Sequence, residues 1–402
     1  MTTTLEDRLR DAYQAAAQTV RPETIRPGVQ YHRAPPARRP SRFQKRSAMF
    51  APLAAAAAVV VAVGTALAVP LLAGGTSHHA PVTMSTPATA PFMVEVAGSG
   101  GSQLAIQQAG TKHLTGFISL PHGAYTWEAV AATGDTTFVA AAATFSDRDY
   151  TSALYRFTLS AEGKPSHLTT VRSGIQGEIS GLAASQGGSR IAYTTPETSI
   201  GNLAVISGTS TRQWTAPALS GPGSTGLLSD SLSLTADGSE LSFIIFRQAD
   251  TAGGVRAAGT MWLLPVSSAP GSATARAHKV TTGPSDSAPN SAVLSADGRT
   301  LYVLSTPAPV PYAAPPGPES VTLSAYSTAD GALLRIIHTW TGIPYAAQIE
   351  MAMTISGGEL LVWGVGGTGA YQVDPASGVI KPVWVYSLHD KGLATPSSSI
   401  AW

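Results

Sequence analysis

The stretch Gly364-Val365-Gly366-Gly367-Thr368-Gly369 matches G-x-G-x-x-G, the spacing that lets backbone amides approach a pyrophosphate. That chemistry needs a helix N-terminus directly after the glycines. Tyr371-Gln372-Val373-Asp374 reads instead as a strand, so the glycines are assigned to a hairpin loop. A serine nucleophile of the G-x-S-x-G kind is ruled out because Pro222 stands where Gly223-Ser224-Thr225-Gly226 needs its first glycine. The nine histidines show neither H-E-x-x-H nor H-x-H spacing. His78-His79 fall in a linker-like stretch, and His113, His122 and His167 fall near strand ends or turns. Asn occurs only at 202 and 290 and Cys not at all, so a hard-cation cage is poorly supplied and a thiolate metal site or a disulfide is excluded. The expectation is no catalytic set, no metal and no cofactor.

The charge distribution is more informative than these fragments. Met49–Leu72 is an uncharged run of 24 residues, about the length an α-helix needs to cross roughly 30 Å of hydrocarbon. Residues 1–48 hold ten Arg/Lys against four Asp/Glu, a net of +6, and no Lys or Arg occurs from Ala73 to Thr111. Cytoplasmic flanks retain positive charge, so the expected topology is N-terminus inside and residues 73–402 outside. Ala66-Leu67-Ala68 offers a cleavage pattern, but the length of the tail and of the run favours an uncleaved anchor at the cell membrane. Residues 49–402 are mildly acidic, with 15 basic and 20 acidic residues, which argues against nucleic acid as a partner.

The elements follow from periodicity. Residues 4–20 read as an amphipathic helix: Thr4 caps it, and Leu5, Leu9, Ala12, Tyr13, Ala16 and Val20 share a face. Residues 73–91 form a Gly/Ser/Thr/Pro linker. Beyond it a frame recurs, an alternating strand, a tight turn and a more apolar strand. Leu232–Phe246 and Ala292–Ser305 carry it clearly; Leu182–Thr195, Met353–Val365 and Ala129–Ala143 carry it more loosely. Two further strands follow each unit, including Leu154–Leu159 with Ser166–Val171 and Met261–Val266 with Ala275–Thr281. Four antiparallel strands per unit make a propeller blade. Residues 92–120 supply only three strands, so Ser399-Ile400-Ala401-Trp402 is expected to complete the first blade. The fold class is therefore all-β over residues 92–402, a six-bladed β-propeller, with five to seven blades compatible with the spacing.

The turn units Thr235-Ala236-Asp237-Gly238 and Ser295-Ala296-Asp297-Gly298 resemble the WD40-like repeat of TolB-type propellers. The layout of a Leu5–Ala12 (LEDRLRDA) tail, one span and an exported propeller is similar to that of actinobacterial membrane proteins, some of whose tails are suspected of anti-sigma roles. The resemblance implies a fold and says little about chemistry. Repetition of Asp237 and Asp297 at one turn gives them a structural task.

One geometric rule selects candidate binding residues. Loops joining the second and third strands of a blade share a face with the connections between blades, and long loops on a rigid rim are where recognition lives. Ser146–Tyr150, Arg247–Thr260 and Thr306–Pro318 belong to that face. The candidate rim is Asp147, Arg148, Asp149, Glu178, Arg247, Arg256, Tyr312, Tyr345 and Glu350. The expected function is a non-catalytic binding or sensing module for a protein or cell-envelope ligand. The alternatives are a propeller enzyme of lactonase or glycan-lyase type, and a regulator whose helix 4–20 binds a cytoplasmic partner such as a sigma factor.

Overall fold

A computed structural model describes residues 91–402, apart from 99, 147–148, 196–200, 217–225, 250–255, 281–286, 308–318, 344–348, 355, 365–369 and 386–398. The tail, helix 4–20, the run 49–72 and the linker up to residue 90 lie outside the described residues, as do Asp147, Arg148, Tyr312 and Tyr345. Among the described residues no helix is long and apolar enough to cross a membrane.

Short alternating runs separated by turn residues fold as six antiparallel sheets arranged as propeller blades. The first holds β1 (Phe92–Ala97), β2 (Gln103–Gln108) and β3 (Leu114–Ser119). The second holds β4 (Thr126–Gly134), β5 (Thr137–Ser146), β6 (Asp149–Thr158) and β7 (Thr169–Gln176). The third runs β8 (Gly181–Ala184), β9 (Arg190–Thr195), β10 (Gly201–Ser207) and β11 (Ser210–Ala216). In the fourth are β12 (Gly226–Leu234), β13 (Glu240–Ala249), β14 (Arg256–Pro265) and β16 (His278–Val280), and β15 (Gly271–Ser272) joins the edge of the third in parallel. The fifth comprises β17 (Ser287–Leu294), β18 (Thr300–Pro307), β19 (Glu319–Ser327) and β20 (Leu333–Ile343). The sixth comprises β21 (Glu350–Met353), β22 (Leu360–Trp363), β23 (Ala370–Val373) and β24 (Ile380–Val383). The last strand, β25 (Ile400–Ala401), pairs with β1 through Val94↔Ala401 and Glu95↔Ile400. The expected closure is therefore what the chain does.

Both faces of each sheet are buried against a neighbour, which explains apolar residues at successive positions rather than alternate ones. Along β5, Phe138, Ala140 and Ala142 pack toward the first blade, while Val139 and Ala141 pack toward the third. The remaining interfaces follow round the ring: third with fourth, fourth with fifth, fifth with sixth, and sixth with first. At the sixth-to-first interface Trp402 is almost wholly buried beside Met93, Trp363 and Ile400. Ser399 adds a polar clasp: its Oγ accepts from the Val130 amide (3.0 Å) and donates to the Val130 carbonyl (3.1 Å) on the second blade.

The Asp-Gly turns have the structural task their repetition implied. Asp237 Oδ1 accepts from the Ser239 amide (2.9 Å), Thr235 Oγ1 (2.7 Å) and Ser239 Oγ (2.7 Å), which together hold its carboxyl down at about 2. Neighbouring turns are then tied directly: the Gln186 amide donates to the Ala236 carbonyl (2.8 Å), and the Ala236 amide to that of Ala296 (3.0 Å). Gly238 sits at φ 70°, and a Cβ there would lie 2.8 Å from Arg190 Cδ, so both conformation and the adjoining turn require glycine.

Three expectations need correction. Arg247–Thr260 is largely paired strand, since β13 and β14 run together as far as Ala249↔Arg256. Ser146–Tyr150 is likewise the tip of a hairpin, with Ser146 opposite Asp149. Ala275–Thr281 is not one strand: Ala273–Arg276 forms the short helix α1, its good helix formers closing the Ala277 amide onto the Ala273 carbonyl, and only β16 remains extended.

Closure predicts a large effect from one side chain. Trp402→Ala should lower stability by about 3–5 kcal/mol through the cavity it leaves, read from the chemical-denaturation midpoint. A loss below ~1 kcal/mol would mean that the terminal strand does not hold the ring.

Candidate functional site

The inner strand of the second blade carries the site. β4 enters at Thr126, and its pairing with β5 shifts between Trp127↔Ala142 and Ala129↔Ala141, leaving Glu128 as the extra residue of a β-bulge. The bulge frees the Glu128 side chain from the alternation of the strand. Its carboxyl reaches Ser152 on β6, two strands away: Ala143 alone stands between Thr126 and Ser152 in the ladder, and its small side chain leaves room. Ser152 Oγ lies 2.8 Å from Glu128 Oε2 and 2.7 Å from the Gly177 carbonyl, and the Ile179 amide donates to Glu128 Oε1 (2.9 Å).

Serine has one proton, and these neighbours fix where it goes. With Glu128 protonated on Oε2, the carboxyl donates to Ser152 Oγ, Ser152 donates to the Gly177 carbonyl, and Oε1 accepts from Ile179, so each member of this network is satisfied. Burial pushes the Glu128 carboxyl up to about 8, with the nearby Glu178 charge adding to the rise and the bonds from Ser152 and Ile179 opposing it. A carboxyl held neutral beside open solvent is unusual and marks a candidate site.

Around it the surface is aromatic. Tyr125 precedes β4, Phe145 is the last residue but one of β5, and Tyr150, the second residue of β6, lies directly opposite Phe145. All three are large and open, 55%, 52% and 39% exposed. The Phe145 and Tyr150 rings are 4.7 Å apart at 45°, and those of Tyr125 and Tyr150 are 6.4 Å apart at 46°. The Gly177 amide donates to the Tyr150 carbonyl (2.9 Å), which fastens the connection bearing Glu178 to this hairpin tip. The Tyr125 phenol is raised by burial and then by the neighbouring Glu178, Tyr150 and Glu128.

Of the candidate rim residues, the structure brings Glu178 to this place; Asp149 is exposed at the same hairpin end but on the other face of the strand pair. Arg247 and Arg256 sit on the β13–β14 hairpin two blades away, and Glu350 opens β21 of the sixth blade, so the rim is spread round the ring rather than gathered. Glu128, Tyr125 and Phe145 escaped the sequence reading. One signal for Glu128 was present: in the repeat frame it occupies the position of Asn290, seven residues before turn residues Asp135 and Asp297, and Asn290 too sits at a bulge, between Pro289 and Ser291.

Other places offer less. A depression of about 640 Å³ on the opposite, turn-bearing face is lined by Gln186, Ala236, Asp237 and Asp297. Its carboxylates are already engaged by their own turns, Asp297 Oδ1 by Ser295 Oγ (2.6 Å) and the Arg299 amide (3.1 Å). His113, His122 and His167 are exposed on separate turns, and among the described residues no three His, Cys, Asp or Glu gather as a metal-ligand set. The glycine run 364–369 joins β22 to β23, whose pairing begins at Trp363↔Ala370, so it is a hairpin loop with no helix after it.

Neither a protein-family model nor a curated relative matches the sequence. Solved propellers are similar in fold. A chain of the nidogen/laminin complex is 12% identical over 77% of this chain and 97% of its own, with a TM-score of 0.46. A candidate 6-phosphogluconolactonase from Bacteroides uniformis is 12% identical over 73% of this chain and 95% of its own, with a TM-score of 0.41. A candidate TolB from Agrobacterium tumefaciens is 12% identical over 73% and 89%, with a TM-score of 0.39. At such identities the likeness concerns the fold alone, and the strand pairing of this chain is what establishes six blades.

The neutral carboxyl predicts a pH effect. The unfolded chain releases the Glu128 proton near the ordinary value of 4.5, whereas the folded chain keeps it to about 8. The unfolded state therefore binds fewer protons across that window, and stability falls as pH rises through it. Glu128→Gln keeps the shape without the charge, accepting from Ile179 and donating to Ser152. Its melting temperature should match the parent at pH 4 and exceed it by several degrees at pH 9. Parallel profiles would place the ionisation elsewhere.

Proposed function

We propose that this protein is a membrane-anchored, extracytoplasmic binding or sensing module that takes its ligand on the second-blade rim without transforming it. The observation that carries this reading is the exposed trio Tyr125, Phe145 and Tyr150 set beside the half-buried Glu128 where β4 and the β5–β6 hairpin meet. Contiguous exposed aromatics on a soluble surface cost solvation and mark interaction sites. The anchor and the export of residues 73–402 rest on the uncharged run 49–72 and the one-sided basic flank.

The enzyme alternative has one observation in its favour, since a carboxyl protonated at neutral pH is what a general acid requires. The two readings separate at Glu128→Gln, which would preserve binding but abolish turnover of any ligand that is chemically altered.

Two measurements test the proposal. The chain has no native cysteine, so single substitutions report topology cleanly. In intact cells a membrane-impermeant maleimide should label Ser77→Cys at once and Ser47→Cys only after permeabilisation; the reverse pattern would overturn the orientation. In a thermal-shift screen of metabolites and cell-envelope fragments, a ligand that stabilises the full-length protein should lose its effect in Tyr150→Ala. Equal stabilisation of both would move the site off this rim.

A further inference from the structure

We propose that the rim of the second blade binds a small organic cation, its ammonium head seated among the faces of Tyr125, Phe145 and Tyr150 and facing the carboxyls of Glu128 and Glu178. This deepens the binding reading above and rests on it.

The ring geometry argues for a head group rather than a flat ligand. Successive tilts of 45° and 46° prevent the three rings from forming one plane, as a pyranose face stacked on them would require. They also keep the rings from stacking flat on one another, and each ring remains part exposed. Ring faces carry negative electrostatic potential and attract a cation within about 6 Å of the centroid. Centroid separations of 4.7 Å and 6.4 Å give three neighbouring rings within reach of one head group, and no extended apolar strip for a longer partner.

The charges surrounding the rings point the same way. Glu178 is an exposed acid on the connection after β7, which the Gly177 amide ties to Tyr150. From β4 comes Glu128, from β6 the Ser152 hydroxyl and from the connection the Ile179 amide and Gly177 carbonyl, so no described cation faces the carboxyl. A positive ligand therefore meets complementary charge from Glu178 and, once ionised, from Glu128.

Glu128 supplies a further consequence. A bound cation favours its ionised form, so binding displaces its proton, and Ser152 then turns its hydroxyl from the Gly177 carbonyl to the new carboxylate. Affinity should rise with pH between 6 and 9, while a neutral group in place of Glu128 abolishes the rise.

The test is calorimetric titration of the full-length protein with tetramethylammonium chloride, using tert-butanol as the neutral probe of similar shape. Tetramethylammonium should bind and tert-butanol should not. Tyr150→Ala should weaken binding about tenfold and Glu178→Gln severalfold, with binding falling as salt is raised. Glu128→Gln should bind with an affinity independent of pH.

Four results would overturn the inference: equal binding of both probes, which makes the rim a plain apolar subsite; binding unchanged in Tyr150→Ala; binding only of a lysine-rich peptide or a neutral glycan; or no binding of tetramethylammonium. If a ligand from the thermal-shift screen still depends on Tyr150 while tetramethylammonium does not bind, the rim reading stands and the cation assignment alone falls.

Discussion

Ile400 and Ala401 hydrogen-bond to β1 at the other end of the folded domain, and the rest of the architecture depends on that junction. Each blade is stable only because both of its faces are covered, and a row of such sheets left open would expose two apolar faces and two strand edges. The closing strand removes both liabilities together. It places Trp402 in the core between the last and first blades and lets Ser399 grip β4 of the second. Six apolar interfaces of similar make thereby share one constraint: the ring has to meet.

Closure also explains why chemistry is confined to strand ends. Within the sheets most side chains are buried and apolar, aliphatic residues joined by aromatics such as Phe138, Trp214 and Trp402. The turn face is occupied by hydrogen bonds that link one Asp-Gly turn to the next, so its carboxylates already serve the scaffold. Among the described residues the opposite face shows no such repeating set of bonds. There the second blade departs from the pattern with a bulge at Glu128 and solvent-facing rings at its hairpin tip, and a rigid strand pair holds both in place.

Much of this was legible in the residues. The turn frame from Leu232 and from Ala292, with Gly and Asp at positions needing unusual backbone angles, forecast hairpins that the pairing reproduces. The missing strand of residues 92–120 forecast the role of Ile400 and Ala401. Where the reading failed, tertiary pairing outweighed local appearance. Arg247–Thr260 looks like a loop because Gln, Asp, Thr and Gly interrupt its pattern, yet its partner strand satisfies the backbone almost to the tip. Ala273–Arg276 turned helical where a continuous strand was expected.

By itself, then, the sequence determined an all-β ring with a repeated turn, its closing strand and a strongly asymmetric charge about the run 49–72, since periodicity, turn chemistry and charge are local properties. Only the tertiary structure decided that Tyr125, Phe145, Tyr150 and Glu178 meet, and that Glu128 sits among them in reach of Ser152 and Ile179. These residues come from three strands and two connections, and no spacing along the chain encodes their meeting. Register does: the one-residue shift at Glu128 turns its side chain out of the ladder, and the pairing of β5 with β6 fixes where it lands.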